Sequence, residues 1–172
     1  MPFALFDTAL GRCGLAWSDH GITAVALPEP DERLVDYLRP FGGSVGELDG
    51  TAERAATQIV LLLDGSPADF AAIPVVLGVS EFDRAVYDVT SGIPRGATLT
   101  YGAVAARLGR PRAAQAVGRA LGRNPVPIIV PCHRVLGGGR EVGGFSAPGG
   151  PSTKEKILAI ERVAGFGEPT LF

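Results

Sequence analysis

Apolar and polar positions alternate through residues 3–27, with breaks at Gly11 and at the Ser18-Asp19-His20-Gly21 cluster. A period of two marks a half-buried strand and glycine-containing breaks mark tight turns. The stretch therefore predicts three antiparallel strands over 3–8, 14–17 and 22–26. Pro28 and Pro30 end this meander. The period then lengthens. Leu34, Val35 and Leu38 predict a short helix over 31–38, closed by Pro40 and Gly42-Gly43. Ala52, Ala56, Ile59, Val60 and Leu63 fall on one face of a longer helix over 49–63, which Asp64-Gly65-Ser66-Pro67 stops. Residues 68–79 read as extended chain returning to the sheet.

A second unit starts near Ser80, an N-cap for a helix over 81–90 with Phe82, Val86 and Val89 on its buried face. Two short helices follow, 101–108 capped by Thr100 and 113–121, joined by Gly109-Arg110-Pro111. Two helices joined by a short glycine-containing turn have the pattern of a helix-turn-helix. The second has an unusual polar side. Arg112, Gln115 and Arg119 lie within about 60° of one another on a helical wheel, opposite Ala113, Ala114, Val117 and Leu121. Ala116 and Gly118 flank the polar residues with almost no bulk, so a partner could approach the backbone closely. Finally Ile128-Ile129-Val130 read as a short, fully buried strand that Pro131 ends. The fold class expected is α/β (α+β). Residues 1–79 form a small sheet-plus-helix scaffold domain, and 80–172 form a mostly helical domain with a helix-turn-helix.

Composition narrows the function. The chain has 172 residues, 46% hydrophobic and 20% charged, with no apolar run near the ~20 residues that cross a bilayer. The expectation is a soluble cytoplasmic monomer. Cys13 and Cys132 are far apart, so no disulfide framework is expected, and with His20 and His133 they do not make a metal set. No metal or other cofactor is expected. The net charge of −2 hides an asymmetry: residues 1–80 carry 4 Arg against 11 acids, residues 81–172 carry 12 Lys and Arg against 7. From Arg95 to Arg140 there are eight Arg and no acid. A one-signed face of planar, bidentate donors suits phosphate, and with the second helix it points to DNA as partner.

The chemistry points to Cys132. It follows a buried segment and Pro131, with His133 and Arg134 next in line. A thiol attacks as thiolate, and a neighbouring imidazole or cation commonly lowers its pKa. Cys132 is therefore expected to be a nucleophile rather than a small core residue.

These residues resemble the O6-alkylguanine-DNA alkyltransferases, the methylated-DNA–protein-cysteine methyltransferases. Pro131-Cys132-His133-Arg134-Val135 is similar to their active-site signature, and Arg123-Asn124-Pro125-Val126-Pro127 to the segment before it. Ile93-Pro94-Arg95-Gly96 through Thr100-Tyr101-Gly102 resembles their entry into the helix-turn-helix, and Lys154 through Glu161 their closing helix. The resemblance runs from about Ser80 to Val163. Residues before it fit loosely, as that family's variable N-terminal domain.

The resemblance implies direct, stoichiometric transfer of an alkyl group from O6-alkylguanine, or from O4-alkylthymine, to Cys132 after the nucleotide is flipped out of duplex DNA. It implies binding through the minor groove by Arg112, Ala114, Gln115, Gly118, Arg119 and Arg123. His133 takes the thiol proton through a water, Glu161 orients His133, and Tyr101 gives a proton to N3 of guanine. Asn124 holds the helix-turn-helix to the Cys loop. Pro131, Val135, Phe145 and Ser146 line the pocket, the carbonyls of Cys132 and Val135 accept from the exocyclic amine, and Ser146 approaches O6. Three positions depart from the family: Gln115 stands where an Arg is usual, Phe145 where a Tyr is usual, and the 146–152 loop is about two residues longer. The alternative is a damage sensor that binds the lesion without efficient transfer, as alkyltransferase-like proteins do. Those proteins lack the Cys.

Overall fold

The computed structural model describes residues 1–138 and 151–167. By contact the chain divides into two units. The first is Met1–Gly78 together with Pro125–Ile129, and the second holds the other described residues from Val79 onward.

In the first unit, β1 (Pro2–Thr8), β2 (Gly11–Ser18) and β3 (Gly21–Ala26) form the antiparallel meander, and β4 (Ser44–Val45) adds a parallel edge beside β1. The sheet order is β3-β2-β1-β4. The turn between β2 and β3 needs glycine twice over. Gly21 has φ +145°, and a Cβ there would lie 2.5 Å from the Pro74 carbonyl oxygen. Helices α1 (Asp31–Gly42) and α2 (Gly50–Leu63) belong to this unit. Leu34 and Leu38 of α1 bury against Phe3, Ala16, Ala24 and Ala26 of the sheet. One expectation needs correcting. Helix α1 does not close at Pro40 but runs through it to Gly42. A proline late in a helix fixes a helical φ, and here the helix then ends on Gly43 at φ +72°. Residues 68–79 return to the sheet as expected, through a single parallel bridge, Val75 to Ile22.

The second unit begins with α3 (Glu81–Ser91), whose N-cap Ser80 Oγ accepts the Asp83 N–H at 3.1 Å. Helix α4 (Tyr101–Arg107) is capped by Thr100, whose Oγ1 accepts the Ala103 N–H at 3.0 Å, and α5 (Ala114–Gly122) follows a short turn. The Tyr87 hydroxyl donates to the Ala120 carbonyl at 2.7 Å, tying α3 to α5. Strands β5 (Leu99–Thr100) and β6 (Val135–Leu136) pair in parallel, and α6 (Pro151–Ile160) closes the unit. Leu136, Leu158 and Val163 form a core cluster there with Phe166. Among the described residues the fold is thus mixed α and β, with a four-stranded sheet, a two-stranded pair and six α-helices.

The second correction falls beside Cys132. Residues 128–130 are buried, as their hydrophobicity requires, but Ile128 and Ile129 form a turn and Val130 an isolated bridge, not a strand. Pro125, Pro127 and Pro131 remove three ladder donors, and Ile128 turns the chain at φ +74°. A positive φ at a β-branched residue costs on the order of 1–3 kcal/mol and persists only where the surroundings over-determine it. Here Ile128 and Val126 are both fully sequestered, and the Pro125 carbonyl is held by the Val25 N–H at 2.9 Å.

Candidate active site and DNA-facing helix

Cys132, His133 and Arg134 form one 3-10 turn that opens just after Pro131. The turn is pinned from both sides. The Cys132 N–H donates to the Val130 carbonyl at 2.8 Å, and the Arg134 N–H donates to the Pro131 carbonyl at 2.9 Å. Asn124 Nδ2 donates to the same Val130 carbonyl at 2.9 Å. Asn124 is therefore a buried brace between the end of α5 and the Cys turn.

Glu161, the first residue past α6, reaches the same turn. His133 Nε2 lies 2.6 Å from Glu161 Oε1, with both side chains fully buried. Arg134 takes Glu161 from another direction, its Nε donating to Oε1 at 3.1 Å and its Nη2 to Oε2 at 2.5 Å. Its Nη1 donates to the Ile93 carbonyl at 2.7 Å. Burial alone would raise the Glu161 pKa, but hydrogen bonds and charge from His133 and Arg134 override it and hold the carboxyl at about 2. Burial lowers His133, against the pull of Glu161, and Arg134 and Lys154 lower it further. The shift favours the neutral imidazole. Because Nε2 faces a carboxylate, the neutral tautomer that fits is the one protonated at Nε2, with the basic lone pair on Nδ1, a buried atom without a hydrogen-bond partner among the described residues.

Burial pushes the Cys132 thiol up. A hydrogen bond with the Asn124 side chain, the charge on Lys154 and the N–H groups of the turn pull it part of the way back. Of the imidazole or cation expected to lower the thiol, the cation does so, in the form of Lys154, but burial outweighs it. A neutral imidazole has no charge with which to do so, so thiolate forms only when a base removes the proton.

Lys154 is the residue that sequence reasoning passed over, noting it only as the start of the closing helix. It is 1% exposed, and its Nζ donates to the Val135 carbonyl at 2.6 Å and to the Tyr101 hydroxyl oxygen at 3.3 Å. Burial lowers its pKa to about 8, opposed by charge on Cys132. A signal was present: the chain uses Arg for most of its cations and has only two lysines, Lys154 and Lys156. Tyr101 is half-buried. Burial raises its pKa, and charge on Cys132 adds to the rise.

The structure thus gathers Cys132, His133, Glu161, Asn124, Pro131, Val135 and Tyr101 into the second unit around the Cys turn and α6. Phe145, Ser146 and the longer loop lie outside the described residues. On α5, Gln115 and Arg119 are exposed, and Ala114 and Gly118 are partly covered; Arg112, expected on the same helical face, is exposed in the turn before the helix. A Cβ on Gly118 would lie 3.9 Å from the Tyr101 ring, so the thin side of α5 borders the tyrosine. Arg123 is engaged within the unit. Its Nε and Nη2 donate to Asp83 Oδ2 and Oδ1 at 3.2 and 2.9 Å, and Asp83 is buried. The described residues contain no group of three metal-ligating side chains.

Comparison with known proteins places the chain in a family. The family model described as the 6-O-methylguanine DNA methyltransferase DNA-binding domain matches residues 81–163. A methylated-DNA–protein-cysteine methyltransferase of Mycolicibacterium paratuberculosis is 38% identical over 177 residues, covering all of this chain and 99% of the relative. One from Methanothermobacter thermautotrophicus is 37% identical over 157 residues, covering 90% of this chain and 82% of the relative. The crystal structure of Mycobacterium tuberculosis OGT in complex with DNA superposes with a TM-score of 0.76 at 29% identity, covering 94% of this chain and 93% of that one.

Proposed function

Because the chain belongs to the methylated-DNA–protein-cysteine methyltransferase family, we propose that it repairs alkylated DNA by moving the alkyl group from guanine O6 to Cys132. The observation that carries the reading is the buried His133–Glu161 pair one residue after a buried thiol, with Nδ1 of His133 left as the available base.

The steps follow from the charges. His133 Nδ1 takes the Cys132 proton through a bridging water, and Glu161 stabilises the imidazolium that forms. The thiolate attacks the alkyl carbon. The new C–S bond forms as the C–O6 bond breaks, and the electron pair leaves with the base. Tyr101 donates a proton to N3, so that guanine departs neutral. The Lys154 ammonium donates to the Tyr101 oxygen, which leaves the phenolic proton free to point towards the base and stabilises the phenolate after transfer. The proton on His133 then balances the one lost from Tyr101. The thioether is not hydrolysed, so each molecule reacts once.

DNA enters along α5. Arg112 and Arg119 supply phosphate contacts, and Ala114 and Gly118 let the backbone approach a minor groove. The chain acts as a monomer, in the cytoplasm; no helix among the described residues is long and apolar enough to cross a membrane. The test is intact-protein mass after mixing with an O6-methylguanine duplex. The protein should gain about 14 Da on Cys132, and the Cys132→Ser protein should bind the duplex without gaining mass. Binding by wild type with no gain in mass would overturn transfer in favour of a damage sensor.

A further inference from the structure

Three of the five N–H groups of Arg134 are engaged inside the unit. Its Nε and Nη2 donate to Glu161 and its Nη1 to the Ile93 carbonyl, and its side chain is 12% exposed. A phosphate contact is the usual work of an arginine in a basic stretch, but here the fork of the guanidinium goes to a buried carboxylate. That carboxylate is the one His133 uses. Among the described residues Oε2 accepts from Arg134 alone, and Oε1 is shared by Arg134 and His133 Nε2. Glu161 therefore has one fixed orientation and one site left for an imidazole proton.

Resting on the alkyl-transfer reading, we propose that Arg134 is a positioning residue that keeps His133 as the neutral, Nε2-protonated imidazole whose Nδ1 can accept the thiol proton. The reasoning is charge balance. Arg134 and Glu161 cancel, so a neutral His133 leaves the buried cluster neutral, and protonating it would leave an uncompensated cation. Without Arg134, the buried carboxylate would find its counter-charge by protonating His133. Nδ1 would then carry a proton at rest and could not act as a base. The charge on Lys154 acts on His133 in the same sense, but from α6 its ammonium is directed at the Val135 carbonyl and Tyr101, whereas Arg134 holds the carboxylate itself. From α3, Tyr87 spends its proton on Ala120.

The test is a 15N NMR titration of the His133 ring, beside the pH profile of single-turnover methyl transfer to the same proteins. With only His20 as a second histidine, a His20→Gln background leaves one ring to follow. Wild type should show a neutral ring with a bare Nδ1 across neutral pH. In Arg134→Gln, the pH at which Nδ1 takes up a proton should rise by about one unit or more, and transfer at neutral pH should fall about tenfold or more. Transfer should recover as the pH is raised. Arg134→Lys keeps the charge without the fork and carries the test if the Gln protein does not fold. Its titration and its acid limb should move up together by a smaller amount. A slower variant with neither titration nor acid limb moved would overturn the proposal, as would a variant unchanged in both. The titration needs no DNA, so a wild type that transfers nothing would remove the functional reading while leaving the imidazole's state measured on its own.

Discussion

Replacing Glu161 by Gln keeps the volume of the side chain and removes its charge. The carboxyl is held at about 2 against an ordinary 4.5, which corresponds to ~3 kcal/mol of preference for the ionised form in the folded protein. The Gln variant loses that and leaves Arg134 with a buried, unpaired guanidinium. The expected loss of stability at pH 7 is about 3 kcal/mol, or roughly 6–12 °C in melting temperature for a chain of this length. Linkage gives a second signature. A carboxyl whose folded pKa lies below its unfolded pKa stabilises the fold fully above the unfolded value, and the contribution is lost as pH falls from about 4.5 to about 2. The gap between wild type and variant should therefore be open at pH 7 and closed at pH 2. Thermal melts of both proteins between pH 2 and 7 measure it, with single-turnover transfer on the same samples. Transfer should fall further than DNA binding, because His133 loses the group that orients it. Equal stability at pH 7, or a gap that persists at pH 2, would refute the assignment of Glu161 as an ionised acceptor for both neighbours.

How much of this was legible without coordinates depended on whether the controlling interaction was local. The meander was readable because alternation and turn glycines are local, and so were α3 and α4, whose caps Ser80 and Thr100 sit one residue before the first helical position. The turn at 128–130 was not. Its three branched residues have strand propensity, and what overrides it is the proline spacing around them together with two bonds, the local Asn124 to Val130 and the distant Val25 to Pro125. Cys132 stood out as the candidate nucleophile from Pro131-Cys132-His133, but the direction of its pKa shift did not, because burial that raises a thiol leaves no mark on neighbouring letters. Glu161 was reached only through the family resemblance. A carboxylate just past an amphipathic helix looks solvated until the turn 28 residues earlier is seen to wrap it. Arg134, Asp83 and Lys154 belong to the same class, since each has its role set by partners brought in from other elements.

Asn124→Ala removes a donor from the buried Val130 carbonyl and the amide beside the Cys132 sulfur. It should cost about 1–3 kcal/mol in chemical denaturation and slow thiol alkylation at neutral pH. In salt titrations of duplex binding, the Arg112→Ala, Arg119→Ala double variant should flatten the log–log slope by about 2. Arg123→Ala should leave the slope alone and lower stability, because that guanidinium is held by Asp83. The last prediction concerns Gln115, exposed near the start of α5 one turn before the exposed Arg119. Flipping a nucleotide costs a few kcal/mol in lost stacking and pairing, and a side chain that enters the gap recovers part of it. An Arg offers a planar cation that stacks and is drawn to phosphate; a Gln offers only an amide that can pair with the orphaned base. The flipped state should therefore be less populated with Gln115 than with Arg at the same place. Single-turnover transfer on one O6-methylguanine duplex should rank Gln115→Arg fastest, wild type next and Gln115→Ala slowest, with binding to undamaged duplex little changed between Gln and Ala. An Arg variant slower than wild type would mean that Gln115 does not fill the gap left by the base, and the flipping role drawn from the family would have to be withdrawn from this position.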